Sequence, residues 1–252
     1  MPGTILYVEN LTVSFSGFKA LNNLNFCVRY GELRFLIGPN GAGKTTLLDV
    51  VCGRIKPDGG RVIFREDVDI AARQEHELVM LGISRKFQTP AVFSEFTVME
   101  NMEISLRYRR GVLPNLFHRI DVADRAKIEH VLEEIGLSDK TAVKAGVLSH
   151  GEKQRLEIGM LLVQEPDLML LDEPVAGLTK QEKEQMGELL QTISDRCSIL
   201  VVEHDMGFVR RFARRVTVMH EGRVLCEGDM NMVQEDPQVV EVYLGRGGCP
   251  PC

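Results

Sequence analysis

No part of this chain stays apolar for long. Charges break every hydrophobic run well short of the roughly 18 residues a membrane-spanning helix needs. The opening residues, Met1-Pro2-Gly3-Thr4, lack the basic and apolar segments of a secretory signal, so a cytosolic protein is expected. Excess positive charge is also missing. The 252 residues carry 30 basic and 36 acidic side chains, a formal net charge of −6, which argues against a protein that coats nucleic acid. Nothing recurs at a period of about 20–50 residues, which excludes a solenoid, and no sustained heptads point to a long coiled coil. Cysteine is sparse and scattered: Cys27, Cys52, Cys197 and Cys226 stand singly in apolar contexts and read as buried free thiols. Cys249 and Cys252 form a C-x-x-C in a Gly/Pro tail. A zinc site would need two more ligands and a redox motif a following helix, so a frayed tail is the simpler reading.

What is present centres on Leu33 to Asp49, L-R-F-L-I-G-P-N-G-A-G-K-T-T-L-L-D. A short apolar run enters a glycine-dense turn, and Lys44-Thr45-Thr46 open an apolar stretch with helical spacing. Gly38, Gly41, Gly43, Lys44 and Thr45 match the full phosphate-loop pattern. Glycines let backbone N–H groups turn inward around an anion, and the unpaired N–H groups of the helix start point the same way. Lys44 reaches the β- and γ-phosphates in such a loop, and the Thr45 hydroxyl goes to magnesium. The loop says that the chain binds ATP or GTP, and not for what purpose.

Ahead of the loop, Ile5–Val8 and Leu11–Phe15 read as short strands around a turn at Glu9-Asn10, and Leu21–Val28 as another. Phe15 and Phe18 sit in the polar stretch S-F-S-G-F-K, where an aromatic ring could stack on a base or serve as a local core anchor. The loop helix ends near Gly53, a turn follows at Lys56–Gly60, and Arg61–Phe64 is a strand. A short helix is expected over Glu75–Met80 and a strand over Ile83–Phe87, followed by Gln88-Thr89-Pro90. Taken alone, Gln88 is polar surface. Helices are predicted over Thr97–Leu106 and Asp121–Ile135, with Gly136 as the stop. Between them R-Y-R-R-G-V-L-P-N-L-F-H-R, residues 107–119, is either an exposed docking element or an irregular helical edge.

Leu148-Ser149-His150-Gly151-Glu152 opens a further helix over Lys153–Val163, with Ser149 as cap and Glu152 at capping-box distance. Leu168–Leu171 is an apolar strand ending in Asp172-Glu173-Pro174, where α/β sheets place their ligands. There Asp172 would anchor magnesium and Glu173 would orient and deprotonate water. A helix over Gln181–Ile193 and a strand over Ser198–Val202 lead to Glu203-His204-Asp205. His204 is expected one step beyond its strand, in the same geometric position as Asp172, within reach of a γ-phosphate. Val209–Ala213 reads as a short helix, Val216–Met219 and Arg223–Cys226 as a hairpin around Glu221-Gly222, and Asp229–Val240 as a helical end interrupted near Pro237.

Taken together, these elements resemble the ATP-binding subunits of ABC transporters over nearly all of the chain. The phosphate loop is Gly38–Thr45, and Gln88 is similar to the family's glutamine lever. Leu148–Glu152 stands where the family signature L-S-G-G-Q is usual; Asp172-Glu173 is the acidic strand end, and His204 is similar to the switch histidine. Two signature positions depart from the pattern, His150 and Glu152. Glu152 must point away from a phosphate or weaken its binding. Thr179 stands where the family often has an aspartate.

The resemblance implies an α/β fold: a phosphate-loop NTPase core (1–96 and 161–252) with an N-terminal antiparallel β lobe and an inserted helical subdomain (97–160) that includes the signature, all in a single nucleotide-binding domain. It also implies a site for ATP and Mg2+. Phe15, Asn40, Gly41, Ala42, Gly43, Lys44, Thr45 and Thr46 of one chain would hold the nucleotide, with Ser149, His150 and Gly151 of a head-to-tail partner closing on it. Thr45, Asp172 and Gln88 would serve the metal, and Glu173, His204 and Gln88 the chemistry. The implied partners are membrane permease subunits, a second ATPase subunit alike or different, and indirectly a periplasmic solute-binding protein. The implied location is the cytoplasmic face of the membrane. Within the family, R-K-F-Q-T-P, V-E-H-D-M-G-F-V and V-E-V-Y-L-G resemble the branched-chain amino acid and urea importer group. S-F-S-G-F-K-A-L, F-Q-T-P, L-S-H-G-E-K-Q and L-D-E-P-V-A-G look most like the urea-type importer's ATPase, so urea is the expected cargo, with branched-chain amino acids as the alternative. A soluble relative such as a cluster-assembly ATPase is the competing class. A small-molecule kinase would lack the signature and the switch histidine.

Overall fold

The computed structural model describes residues 3–86, 92–106 and 121–244. Gln88, the basic stretch 107–119 and the Cys249/Cys252 tail lie outside the described residues.

Two sheets are stacked around the phosphate loop. The first is antiparallel, in the order β2-β1-β4-β5, built from β1 (Thr4–Phe15), β2 (Phe18–Arg29), β4 (Gly59–Phe64) and β5 (Val68–Asp69). The second runs β10-β9-β3-β8-β7-β6. It comprises β3 (Leu33–Ile37), β6 (Ile83–Lys86), β7 (Leu168–Asp172), β8 (Ser198–Val202), β9 (Arg215–His220) and β10 (Arg223–Gly228). All its pairings are parallel except the β9–β10 hairpin.

Every residue of β3, β7 and β8 is buried, as expected for parallel strands covered on both faces. Period-two alternation divides their side chains between two cores. Phe35, Ile37, Met169, Leu171, Ile199 and Val201 face the helical side. Leu36, Leu168, Leu170, Leu200 and Val202 face the antiparallel sheet and the loop helix α1 (Lys44–Val51). Arg34 is the exception inside β3. It is 1% exposed, and its guanidinium is held by Glu32 at 2.7 Å, Glu227 at 2.8 Å, Thr217 Oγ at 2.7 Å and the Cys27 carbonyl at 3.2 Å. A buried cation so fully partnered ties β2 and β10 to the strand that feeds the phosphate loop.

The helices are α2 (Glu75–Leu81), α3 (Val98–Ser105), α4 (Val122–Glu134), α5 (His150–Leu162), α6 (Lys180–Ser194), α7 (Met206–Phe212), α8 (Met230–Glu235) and α9 (Pro237–Leu244). Helices α3, α4 and α5 pack together through Val98, Met102, Ile128, Leu132 and Ile158 as the inserted helical subdomain. None of the helices among the described residues is long and apolar enough to cross a membrane.

Several sequence expectations shift. The two strands expected around Glu9-Asn10 are one strand, β1, carrying a bulge. Asn10 takes φ 49°, pairing slips between Val8 and Leu11, and the Asn25 side chain accepts the Asn10 N–H at 3.0 Å. A short polar side chain tolerates that left-handed turn, so the extra residue bends the strand without ending it. Helix α5 begins at His150 because Ser149 caps it directly: its hydroxyl accepts from Glu152 N at 3.2 Å and Glu152 Oε2 accepts from Ser149 N at 2.9 Å. Helix α7 begins earlier than expected because Asp205 accepts from Phe208 N at 3.0 Å. Of the free cysteines, Cys52 and Cys197 are buried as expected, but Cys27 and Cys226 are only half-buried, because they lie on sheet-edge strands.

Candidate functional site

The phosphate loop leaves the buried end of β3 and turns into α1. Gly41 (φ 80°) and Gly43 (φ 96°) adopt left-handed backbone that favours glycine. At Gly43 space forbids a side chain as well, since a Cβ would lie 2.5 Å from the Ala20 carbonyl oxygen. The loop therefore folds as a backbone-lined nest with no side-chain cap on α1. Lys44 lies across it, its Nζ donating to the carbonyls of Gly38 at 2.8 Å and Pro39 at 3.0 Å. Burial lowers the Lys44 pKa, while Asp172 and Glu173 pull it back up.

A cleft of about 380 Å3 opens above the loop. It brings together Phe15, Phe18, residues 40–46, Asp172 and Glu173. Phe15 and Phe18 are partners across the β1–β2 turn, 47% and 65% exposed, so neither is a core anchor. Two aromatic faces at the rim of a phosphate-binding cleft suit a planar base.

Asp172 ends β7 and is 3% exposed. Its Oδ1 is buried with no hydrogen-bond partner among the described residues, and Arg85 Nη2 stands 3.8 Å from Oδ2. Burial raises the Asp172 pKa, Arg85 opposes this, and the neighbouring Glu173 adds to it. A buried acceptor left open in a cleft that Thr45 also lines fits a divalent cation that would be held by these two residues. Arg85 also reaches Asp49 on α1 at 2.6 Å, so one guanidinium joins the loop helix to the acidic strand end.

Glu173 follows in left-handed backbone, φ 50°, with its N–H held by the Val202 carbonyl at 2.9 Å. Its Oε1 lies 3.3 Å from His204 Nδ1. His204 is two residues past the end of β8, whereas Asp172 is the last residue of its strand and pairs with Val202. The two therefore do not hold equivalent positions: the extra residue, Glu203, is turned inward and buried.

Ser149, His150 and Gly151 do not line this cleft. They form the start of α5 on another part of the surface. His150 folds onto the loop after Pro174, its Nε2 3.0 Å from the Ala176 carbonyl oxygen. Glu152 folds back onto the helix start: it accepts the Ser149 N–H and pairs with Lys140, and these contacts lower its pKa, Lys140 most strongly. A Cβ at Gly151 would lie 2.4 Å from Glu182 Oε1. Glu182 in turn forms a capping box with Thr179, which explains why a hydroxyl serves at that position.

Sequence reasoning passed over Arg85 and Glu203 and left Phe18 as one of two alternatives. The Glu203 carboxylate accepts from Val175 N and His204 N, each at 3.1 Å, and from Asp205 N at 3.4 Å. Burial raises its pKa, and those three N–H groups hold it down. Its only sequence signal was a carboxylate at the end of an apolar strand, next to the candidate histidine.

Comparison with known proteins places this architecture. The ABC transporter family model matches residues 21–176, and that of the branched-chain amino acid ATP-binding cassette transporter matches residues 223–248. The chain is 33% identical to the high-affinity branched-chain amino acid transport ATP-binding protein LivG of Escherichia coli K12, covering 98% of this chain and 100% of the relative. It is 35% identical to a probable LivG of Methanocaldococcus jannaschii, covering 96% and 98%. Among solved structures, a nucleotide-free ATP-binding cassette from an ABC transporter superimposes with TM-score 0.84 at 34% identity, covering 96% of this chain and all of that one. A dimeric cassette bound to ADP and Pi gives 0.74 at 26% identity, covering 90% and 99%.

These relatives correct the urea-type expectation, since the carboxyl-terminal match and the LivG proteins are described for branched-chain amino acid transport. The motifs that suggested urea surround the nucleotide cleft and the start of α5, where chemistry is set by phosphate and water and carries no information about cargo. The chain belongs to the ATP-binding, ATP-hydrolysing subunits of the ABC transporter family.

Proposed function

We propose that this ATPase powers import of branched-chain amino acids through a membrane permease, acting from the cytoplasmic face as one member of an ATPase pair. The observation that carries this reading is the similarity to LivG proteins over the whole chain, together with the family match at residues 223–248. A periplasmic solute-binding protein would deliver the cargo, which this chain never touches.

In this reading the chain's own residues divide the work. The loop amides and Lys44 bind the phosphates, while one of the two rim aromatics, Phe15 or Phe18, stacks on the base. Thr45 and Asp172, with Gln88, would hold Mg2+, which when bound would neutralise phosphate charge. Glu173 accepts a proton from the attacking water, and His204, 3.3 Å from it, holds that water and the γ-phosphate in line. Ser149, His150 and Gly151 lie outside their own cleft and would close on the nucleotide of a second ATPase. That geometry calls for a head-to-tail pair, and solved relatives are dimeric. Residues 97–160, the helical subdomain, would pass closure on to the permease.

The test is ATP turnover of the reconstituted complex with its permease and solute-binding protein. Stimulation by leucine, isoleucine or valine is expected. Assembly with a permease but no response to any of the three would remove the cargo assignment. Failure to assemble with any permease would remove the transporter reading.

A further inference from the structure

We infer that Glu203 is the positioning residue that locks Glu173 and His204 into one catalytic unit. The inference rests on the reading of those two residues given above. Glu203 is 1% exposed, and its two carboxylate oxygens serve two different segments. Oε1 accepts from Val175 N at 3.1 Å, two residues after Glu173. Oε2 accepts from His204 N at 3.1 Å and Asp205 N at 3.4 Å, in the turn that carries the histidine.

That bridge matters because Glu173 stands in left-handed backbone, φ 50°. Such a conformation persists in a non-glycine residue only where its surroundings over-determine it. Three contacts do so here. The Glu173 N–H is held by Val202 O at 2.9 Å, the Glu173 carbonyl accepts from Ala176 N at 3.2 Å, and Val175 N is fixed by Glu203. The first two are backbone to backbone within the β7–β8 pairing and the turn itself. The third adds a backbone tie between the Glu173 turn and the His204 turn, beside the 3.3 Å contact of the two side chains. The N–H groups all donate, so the bridge needs an acceptor on both arms, and a carboxylate is the one side chain of this length that supplies it.

Glu203→Gln tests this with almost no change of shape. The amide keeps one acceptor oxygen and turns an NH2 toward backbone donors on the other arm, so one of the two segments is released. In the full-length chain, the expected result has three parts: kcat down about a hundredfold, as a displacement near 1 Å commonly produces; KM for ATP and binding of a fluorescent ATP analogue within about twofold of wild type; and faster amide exchange at residues 175–176 or 204–205. A variant that merely loosened the fold would lose nucleotide binding too, and that outcome counts against the inference. Wild-type kcat and wild-type exchange in Glu203→Gln would overturn it outright. Glu173→Gln run alongside separates the two levels. If Glu173→Gln turns over normally, the catalytic assignment fails, and the exchange data alone still decide whether Glu203 bridges the turns.

Discussion

Lys86 Nζ lies 3.3 Å from Glu157 Oε2, with the two side chains only 1% and 5% exposed. Lys86 is the last residue of β6 and Glu157 sits midway along α5, the helix that Ser149 caps. Its neighbour Arg85 points to the opposite side of the strand and reaches Asp49 and Asp172. Consecutive strand residues face opposite ways. One short strand therefore joins the nucleotide cleft, through Arg85, to the signature helix, through Lys86.

Removing one charge of the Lys86–Glu157 pair leaves the other buried. Lys86→Met is expected to destabilise the chain, and Lys86→Met with Glu157→Leu to destabilise it less than Lys86→Met alone. Equilibrium unfolding in urea checks both. Equal losses in the single and double variants would show that packing, and not charge, dominates the site.

Glu173→Gln keeps the side chain's shape and its distance from His204 but removes the proton acceptor. ATP binding should be retained while turnover falls by about a hundredfold or more. Single-turnover hydrolysis with excess enzyme measures this directly, and near-normal hydrolysis would send the search for the base elsewhere.

Phe15 and Phe18 both edge the cleft. If a base stacks on one ring, truncating that ring to alanine should weaken ATP binding by about two- to tenfold, the range expected of an aromatic stacking pair. The other truncation should leave affinity near wild type. Titration with ATP and with inorganic triphosphate distinguishes the effects, because triphosphate lacks the base and should bind both variants equally.

The Glu152 carboxyl is held below its ordinary value of 4.5, first by Lys140 and then by the Ser149 N–H. A carboxyl depressed in the folded state adds stability above its unfolded pKa and loses it as pH falls through the folded value. Glu152→Gln should therefore lower the melting temperature at neutral pH, and the gap to wild type should close well below pH 4.5. A gap that persists unchanged into strong acid would mean that Glu152 acts by shape alone.

Local chemistry made much of this protein readable from its residues alone. The phosphate loop is legible because glycine spacing, Lys44 and the strand–helix switch all lie within a few consecutive positions. The Ser149–Glu152 capping box spans one helical turn, and β7 and β8 are continuous apolar runs. Tertiary structure alone decided the rest, because the relevant pairs are distant in sequence. Only stacking of the two sheets brings Phe15 and Phe18 to the cleft. Only the β7–β8 register places Glu203 beneath Val175, 28 positions away, and only β6 as an edge strand sets Arg85 against Asp172. Charged side chains inside strands look like errors of pattern when read along the chain. They become explicable once their partners arrive from other elements, because burial of a charge is tolerated only where such partners satisfy it.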